Sequence, residues 1–261
     1  MVVLTNYGNT CYFNSILQIF LHLKTNIDYK NNQPLKDWAF IINKLKTLKK
    51  NTEFKPHLLH QFLKLTKKFP IGLPHDAHHV FLEIIDYIQD RTFTGKMLQT
   101  IVVKHEPHNW YWQKDEFTSL DLSVNNSNTL KQCLDEFFEY EIIEDWKDEK
   151  DNSIKPIIKN YQIIKFPINL VIVLKQMTVK KKCIHYDFLL DMNPYAKSNL
   201  DYRYHLISVI IHKHSHYYTF CREYENYKYK WYLYNDEFRQ QVSPSSFINQ
   251  PPYMLIYTRI S

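Results

Sequence analysis

Cys11 stands in the segment Asn6-Tyr7-Gly8-Asn9-Thr10-Cys11-Tyr12-Phe13-Asn14-Ser15, at the start of an apolar pattern of helical period. More than two hundred residues later come His214-Ser215-His216-Tyr217-Tyr218, and then Trp231-Tyr232-Leu233-Tyr234-Asn235-Asp236. A thiol, an imidazole, and an amide or carboxylate, in that order, are the parts of one chemical device. They make a cysteine nucleophile whose base is remote in sequence and near in space.

The local residues fit that role. At the first turn of a helix, free backbone N–H groups and the helix dipole favour thiolate over thiol. Thr10 or Asn9 is placed to cap the helix, and Gly8 permits a tight turn before it. Asn6, five residues upstream, carries an amide that can reach an oxygen developing negative charge. A lone free cysteine is commonly a small buried core residue. The polar, glycine-bearing segment and the paired downstream signals argue for chemistry instead. His216 is the best base, because aromatic residues follow it closely. His212 and His214 are rivals, since alternate residues of one strand point the same way. Asn235 or Asp236 orients the imidazole by accepting its second N–H. Being adjacent on a strand, one of the two is primary and the other a helper.

These side chains need elements to hold them. The first ninety residues read as helical. One stripe is Tyr12, Ile16, Ile19, Phe20 and Leu23, and a second is Trp38, Ile41, Ile42, Leu45 and Leu48. Leu58, Leu59, Phe62 and Leu65 make a third; Ala77, Phe81, Ile84, Ile85 and Ile88 make a fourth. From about residue 97 the period shifts. Met97 to Val103 and Phe117 to Val124 read as strands, and Thr129 to Tyr140 as a helix. The charged stretch Glu139 to Asp151 reads as an exposed turn or insert. Ile168 to Lys175, Leu206 to Ile211, Tyr217 to Arg222, Lys230 to Tyr234 and Tyr253 to Tyr257 then read as strands of one sheet, the apolar run Leu170 to Leu174 being buried. Helices first and strands later predict an α+β fold, in a chain whose length suits one large domain or two small ones.

Composition narrows the function. A chain of 261 residues with 44% hydrophobic and 16% aromatic residues fills a real core and is not disordered. Glycine occurs only at Gly8, Gly72 and Gly95, which marks each as a special backbone position. The net charge of +6 permits an acidic partner without requiring one. Lys180-Lys181-Lys182 reads as a solvated turn, and no basic helix or finger spacing suggests a nucleic-acid reader. No run reaches membrane-spanning length. Cys11, Cys133, Cys183 and Cys221 form no CxxC pair and follow no signal peptide, so free thiols in a reducing compartment, cytoplasmic or nuclear, are expected.

The motifs resemble those of the ubiquitin-specific proteases, the papain-like deubiquitinating cysteine peptidases. That family's Cys box, roughly G-N-T-C-Y-x-N-S-x-L-Q, is complete from Gly8 to Gln18. Its oxyanion-hole Asn falls on Asn6. Its Q-D-A-x-E-F box appears as His75-Asp76-Ala77-His78-His79-Val80. The strand F-P-x-x-L-x-x-x-L-K-R-F corresponds to Phe166 through Met177. The His box runs from Tyr204 to His212 and then through Ser215-His216-Tyr217, which selects His216 over its rivals. The closing W-x-x-F-N-D falls on Trp231 to Asp236, with Asn235 at the usual third position and Asp236 as the neighbouring acid.

The resemblance implies a hand-like fold, with a helical thumb over about 1–95 and a β-sheet palm over about 96–261. It also implies hydrolysis of the bond after the C-terminal glycine of ubiquitin, with ubiquitin and ubiquitinated proteins as partners and no cofactor. Cys11, His216, Asn235, Asp236 and Asn6 would be catalytic. Tyr217 and Tyr218 would wall a narrow channel for the glycine tail. Departures are informative. The two CxxC pairs that hold zinc in many members are missing, and His105 and His108 have no second pair, so shortened, zinc-free fingers are expected. His79 replaces the Glu of the Q-D-A-x-E-F box, which shifts binding of a basic tail onto Asp76, and Ser215 replaces the Gly before the histidine. A ubiquitin-like modifier, or a catalytically inactive ubiquitin-binding scaffold, are the alternative readings. The short chain and its Lys-, Asn- and Ile-rich usage suggest a viral or reduced-genome source, so that the compartment would be that of a host cell.

Overall fold

The computed structural model describes residues 1–23, 32–49, 52–148, 150–176, 181–198 and 201–260. Lys180 and Met177, named above, lie outside them.

Each apolar stripe of the first ninety residues becomes a helix. The chain runs β1 (Val3–Leu4), α1 (Cys11–His22), α2 (Gln33–Thr47), β2 (Glu53–Phe54), α3 (His57–Phe62) and α4 (Ala77–Ile88). Asn32 caps α2 by accepting from Leu35 N at 3.1 Å, and Asp76 caps α4 by accepting from His79 N at 3.1 Å. Helix α1 is buried on every side from Cys11 to Leu21, polar residues included, which makes it the central helix. The third stripe holds less well, for Leu58 is 62% exposed.

The second part is built of strands. β3 (Gly95–Val103), β4 (Glu106–Phe117) and β5 (Leu120–Ser123) precede α5 (Leu130–Phe138). β6 (Glu141–Lys147), β7 (Ile154–Lys165), β8 (Asn169–Lys175), β9 (Leu189–Asp191) and β10 (Arg203–Lys213) follow. The chain closes with β11 (His216–Glu225), β12 (Lys228–Asn235), β13 (Phe238–Val242) and β14 (Pro252–Arg259). α5 begins with a capping box in which Thr129 and Gln132 satisfy each other's backbone amides.

The five late strands expected in one sheet do share one, in the order β13-β12-β11-β10-β14-β8-β5, with β9 added beside β10. Val171 and Val173 of β8 face the helical core, while Leu170, Ile172 and Leu174 face a second core shared with α5. A strand buried on both faces reads as a continuous apolar run, as this one does.

The charged stretch Glu139 to Asp151 is not a turn or insert. It holds β6, paired antiparallel with β7 in a second sheet of order β4-β3-β7-β6. Cross-strand pairs absorb its charges: Lys159 meets Glu141 at 2.9 Å, and Lys104 meets Glu144 at 3.2 Å. This sheet is largely exposed, so its strands carry no clean alternation, and β4 and β7 went unread for the same reason.

Candidate active site

The segment before Cys11 is wound by its own side chains. Asn6 Oδ1 accepts from Thr10 N at 3.1 Å and from the Thr10 hydroxyl at 3.2 Å, while that hydroxyl accepts from Tyr7 N at 2.9 Å. Gly8 and Asn9 are both left-handed, with φ of 78° and 56°. Gly8 packs against Gly72, whose N–H donates to the Gly8 carbonyl at 3.1 Å, and Asn9 Nδ2 donates to the Gly72 carbonyl at 2.9 Å. Two of the three glycines therefore meet where this turn rests on the turn before α4.

Cys11 is the first residue of α1. Thr10 occupies the cap position, but its side chain makes no capping bond, because it is spent on Asn6 and Tyr7. The helix start is left uncapped, with free N–H groups beside the sulfur. The expectation of a ready thiolate does not hold in the substrate-free site. Burial pushes the Cys11 thiol up, the Tyr217 amide pulls it down, and the Asp236 carboxylate pushes it up further. The net result is upward, so attack at neutral pH needs a base.

The hairpin β10–β11 supplies that base. His214 and Ser215 form its two-residue turn, both left-handed with φ of 49° and 61°, the pattern of a type I′ hairpin. The chain reverses there, so His212, His214 and His216 do not share a strand face as expected. His214 lies in the turn. His212 pairs with Tyr217 and stacks on it at 4.0 Å, with Lys181 Nζ 3.1 Å from its Nδ1. Burial and then the Lys181 charge hold His212 down. His216 opens β11 with a side chain 36% exposed. Its Nε2 binds Asn235 Oδ1 at 2.7 Å, which leaves Nδ1 for the thiol proton. The Tyr217 amide lies against the Cys11 sulfur, so the two residues meet across this peptide.

Asn235 and Asp236 divide the supporting work. Asn235 ends β12, while Asp236 turns left-handed with φ of 51°. Its carboxylate stays 3.9 Å from His216 Nε2 and accepts from Asn6 Nδ2 at 2.8 Å and Asn14 Nδ2 at 2.7 Å. Glu237 next to it accepts from Asn6 N at 2.7 Å. Asn14 and Glu237 had no role in the sequence reading. The signal for Asn14 was a polar residue one helical turn after Cys11.

The remaining residues separate. A cavity of about 280 Å³ takes in Cys11, Asn9, His75, Asp76, His212 and Tyr217. Tyr217 lines it and Tyr218 does not, because neighbours on a strand face opposite ways; the Tyr218 hydroxyl donates to Gln250 Oε1 at 2.6 Å. Asp76 joins this cavity to a second of about 340 Å³, lined also by His78, His79, Lys175, Lys181 and Tyr253. The Tyr253 hydroxyl donates to Asp76 Oδ2 at 2.6 Å. His105 sits in the β3–β4 turn and His108 on β4, both exposed and away from these cavities. All four cysteines are free.

Known proteins resemble this chain along its length. The Probable ubiquitin carboxyl-terminal hydrolase 16 of Schizosaccharomyces pombe is 25% identical over 312 aligned positions, covering 99% of this chain and 66% of that protein. Ubiquitin carboxyl-terminal hydrolase 25 of Arabidopsis thaliana is 23% identical, covering 98% of this chain and 47% of that protein. The chain thus spans two thirds or less of these relatives. Among solved structures, the SAGA Ubp8/Sgf11/Sus1/Sgf73 DUB module bound to ubiquitin aldehyde superposes with a TM-score of 0.81 at 24% identity, covering 100% of this chain and 70% of that one. The α+β arrangement of a helical lobe against a sheet lobe is therefore that of the papain-like deubiquitinases. A profile of the family described as ubiquitin carboxyl-terminal hydrolase matches residues 2–257, and this chain belongs to that family.

Proposed function

We propose that this chain is a thiol-dependent deubiquitinase that hydrolyses the bond after the C-terminal glycine of ubiquitin. The observation that carries it is that Cys11, at the start of α1, lies against the Tyr217 amide beside His216, whose ring bonds Asn235 at the end of the neighbouring strand. The Cys11 proton passes to His216 Nδ1 as sulfur bonds to the glycine carbonyl carbon. Asn235 accepts the Nε2 proton and fixes the ring. The carbonyl oxygen becomes an oxyanion, held by the Asn6 amide and the uncapped amides at the start of α1. Asp236 holds the Asn6 amide in place. The departing lysine amine takes the proton from His216, leaving a thioester, which water then hydrolyses with His216 as base. Burial holds the thiol pKa up, so the imidazole must take its proton as attack begins. The site works only with Cys11 reduced, which suits a reducing compartment. Incubation with a ubiquitin-based electrophilic probe in reducing buffer tests the reading. A covalent adduct on Cys11 is expected, and its absence would sink the proposal.

A second reading keeps the chemistry and changes the modifier. Both oxygens of Asp76 are engaged, one by His79 N and one by Tyr253. Asp121, the other carboxylate of the 340 Å³ cavity, is paired with Lys175 at 2.7 Å. His79, Lys175 and Lys181 stand beside them. The Asp76 carboxylate has both oxygens occupied by neutral donors and cationic Lys175 and Lys181 in the same lining, which favours a ubiquitin-like modifier with a less basic tail. Parallel reaction with probes built on ubiquitin and on its relatives discriminates; a clear preference for a relative would overturn ubiquitin as the substrate.

A further inference from the structure

A cavity of about 460 Å³ lies away from Cys11 and shares no lining residue with the Cys11 cavity. Its origin is a fork in the main sheet. β10 and β11 pair from Lys213↔His216 only as far as Ser208↔Cys221. Beyond that point, Arg203 to His205 pair with β9, while Arg222 to Glu225 pair with β12. The cavity occupies the opening between them. Its charged and titratable lining is His22, His205, Arg222 and Arg259, and no Asp or Glu lines it.

The two arginines there are uncommitted, whereas His22 is held by Glu223. Arg222 forms no ion pair among the described residues, and its Nε is buried without a partner. Such an orphaned guanidinium nitrogen is costly unless a ligand meets it. The guanidinium lies 4.2 Å over the Tyr229 ring, which fixes its plane. Burial holds its pKa below the usual arginine range, and burial with the Arg222 charge does the same for His205. Arg259 has no carboxylate partner among the described residues. Glu223, next in the chain to Arg222, is engaged by Arg239 at 3.0 Å, and by Tyr234 and His22.

We propose that this fork is a binding site for a phosphate monoester. Two guanidinium groups offer the forked donors that phosphate oxygens accept, and the Thr258 hydroxyl lies in the same lining. The cavity is larger than a phosphate needs and lies within the ordinary range of small-molecule sites. The exposed rings of Tyr224 and Tyr229, 5.1 Å apart and tilted by 57°, give the organic part of the ester a wall. A nucleotide and a phosphorylated tyrosine side chain share this chemistry. The site does not depend on the reading of Cys11.

The test titrates the whole chain with inorganic phosphate, AMP and N-acetyl-phosphotyrosine amide, by calorimetry and amide NMR, against sulfate as a control. Saturable binding of at least one ester, with resonances of β10 and β11 shifting, is expected. The Arg222→Gln and Arg259→Gln variants, each checked for native spectra, should each weaken it by about tenfold or more. Cys11→Ala should leave it unchanged. Tighter binding of AMP names a nucleotide, and tighter binding of the phosphotyrosine amide names a phosphorylated side chain. Equal affinity for all three ligands would overturn the ester and leave an anion subsite. No saturation up to about 10 mM, equal affinity for sulfate, or full retention in both folded arginine variants would overturn the site. His205→Gln is the variant to use if Arg222→Gln does not fold, and retention there would count against the proposal equally.

Discussion

Helix α1 carries a cysteine–histidine pairing at each end. At its start, Cys11 lies against the Tyr217 amide next to His216, and Asn235 and Asp236 stand by the imidazole. At its end, His22 meets the sulfur of Cys221 and the carboxylate of Glu223. Both histidine contacts come from or reach into β11. At the end of α1, the polar groups around His22 are spent. His22 Nδ1 bonds the Gln18 carbonyl at 2.7 Å, its Nε2 lies 3.4 Å from Glu223, and its side chain is 1% exposed. Cys221 is fully buried and accepts from the Ser208 hydroxyl at 3.3 Å, while Arg239 and Tyr234 close on Glu223. Full burial opposes the charge on His22, but the Cys221 sulfur and Glu223 outweigh it and hold the imidazole up at about 9. An imidazolium locked in this way cannot take a proton. At the start of α1, His216 is partly exposed with Nδ1 free, and a cavity opens beside the sulfur. The same residue types make a structural clamp in one place and a candidate nucleophile in the other. Access and unspent hydrogen-bonding capacity decide which.

The largest expected effect breaks the start of the helix. Cys11→Ala or His216→Ala should abolish turnover of a ubiquitin-tail fluorogenic substrate while the urea midpoint moves by less than about 1 kcal/mol equivalent. Residual turnover near wild type in either variant would show that the pairing is not the device.

Glu223→Ala breaks the other end and should do the reverse. It strands His22 in a buried site and leaves Glu225 as the ion-pair partner of Arg239, at a cost of about 3–5 kcal/mol in urea unfolding. The same clamp sets a pH dependence. His22 binds its proton more tightly folded, at about 9, than at the ordinary 6.5. Its contribution is complete below the lower value and lost as pH rises through the upper one, at most roughly 3 kcal/mol. Unfolding midpoints on either side of that window should differ in the wild type and much less in Glu223→Gln. A flat wild-type profile would show that His22 is not held as imidazolium.

A finer change separates the supports of His216. Loss of Asn235 or Asp236 alone should leave measurable turnover, with Asp236 the more costly because it also holds Asn6. The double change should cost on the order of a hundredfold or more in kcat/KM. An unaltered kcat/KM in the folded double variant would mean that neither residue orients the ring.

The smallest effect tests the idle thiol. Cys221→Ser should keep turnover within about twofold, and iodoacetamide should label Cys11 but not Cys221 in the native protein. Labelling of Cys221 at a comparable rate would erase the distinction between the two ends.

Much of this was legible in the residues. The helical stripes and the five late strands follow from periodicity, because burial imposes 3.6 on helices and two on strands, and the Cys box around Cys11 follows from its likeness to the family's motif. Of the second sheet only β3 was legible, because β4 and β6 are largely exposed and β7 is half-buried along most of its length, so no buried face disciplines their pattern. Of Thr10 and Asn9, both expected as caps, Thr10 holds the position, yet its hydroxyl went to Asn6 and Tyr7 instead of capping, a choice that propensity does not record.

By itself the sequence determined the element types, the polar composition of the site, and the order of Cys11, His216 and Asn235 along the chain, since these are local or ordinal facts. Tertiary structure alone decided which histidine is free. Only the reversal at His214-Ser215 sends His212 to Tyr217 and His216 to Asn235, and only the left-handed turn at Asp236 brings its carboxylate to Asn6 and Asn14. It also decided which cysteine has a cavity and which a clamp. The physical reason is that reactivity depends on desolvation and on hydrogen bonds left unmade, and both are fixed by residues far away in sequence.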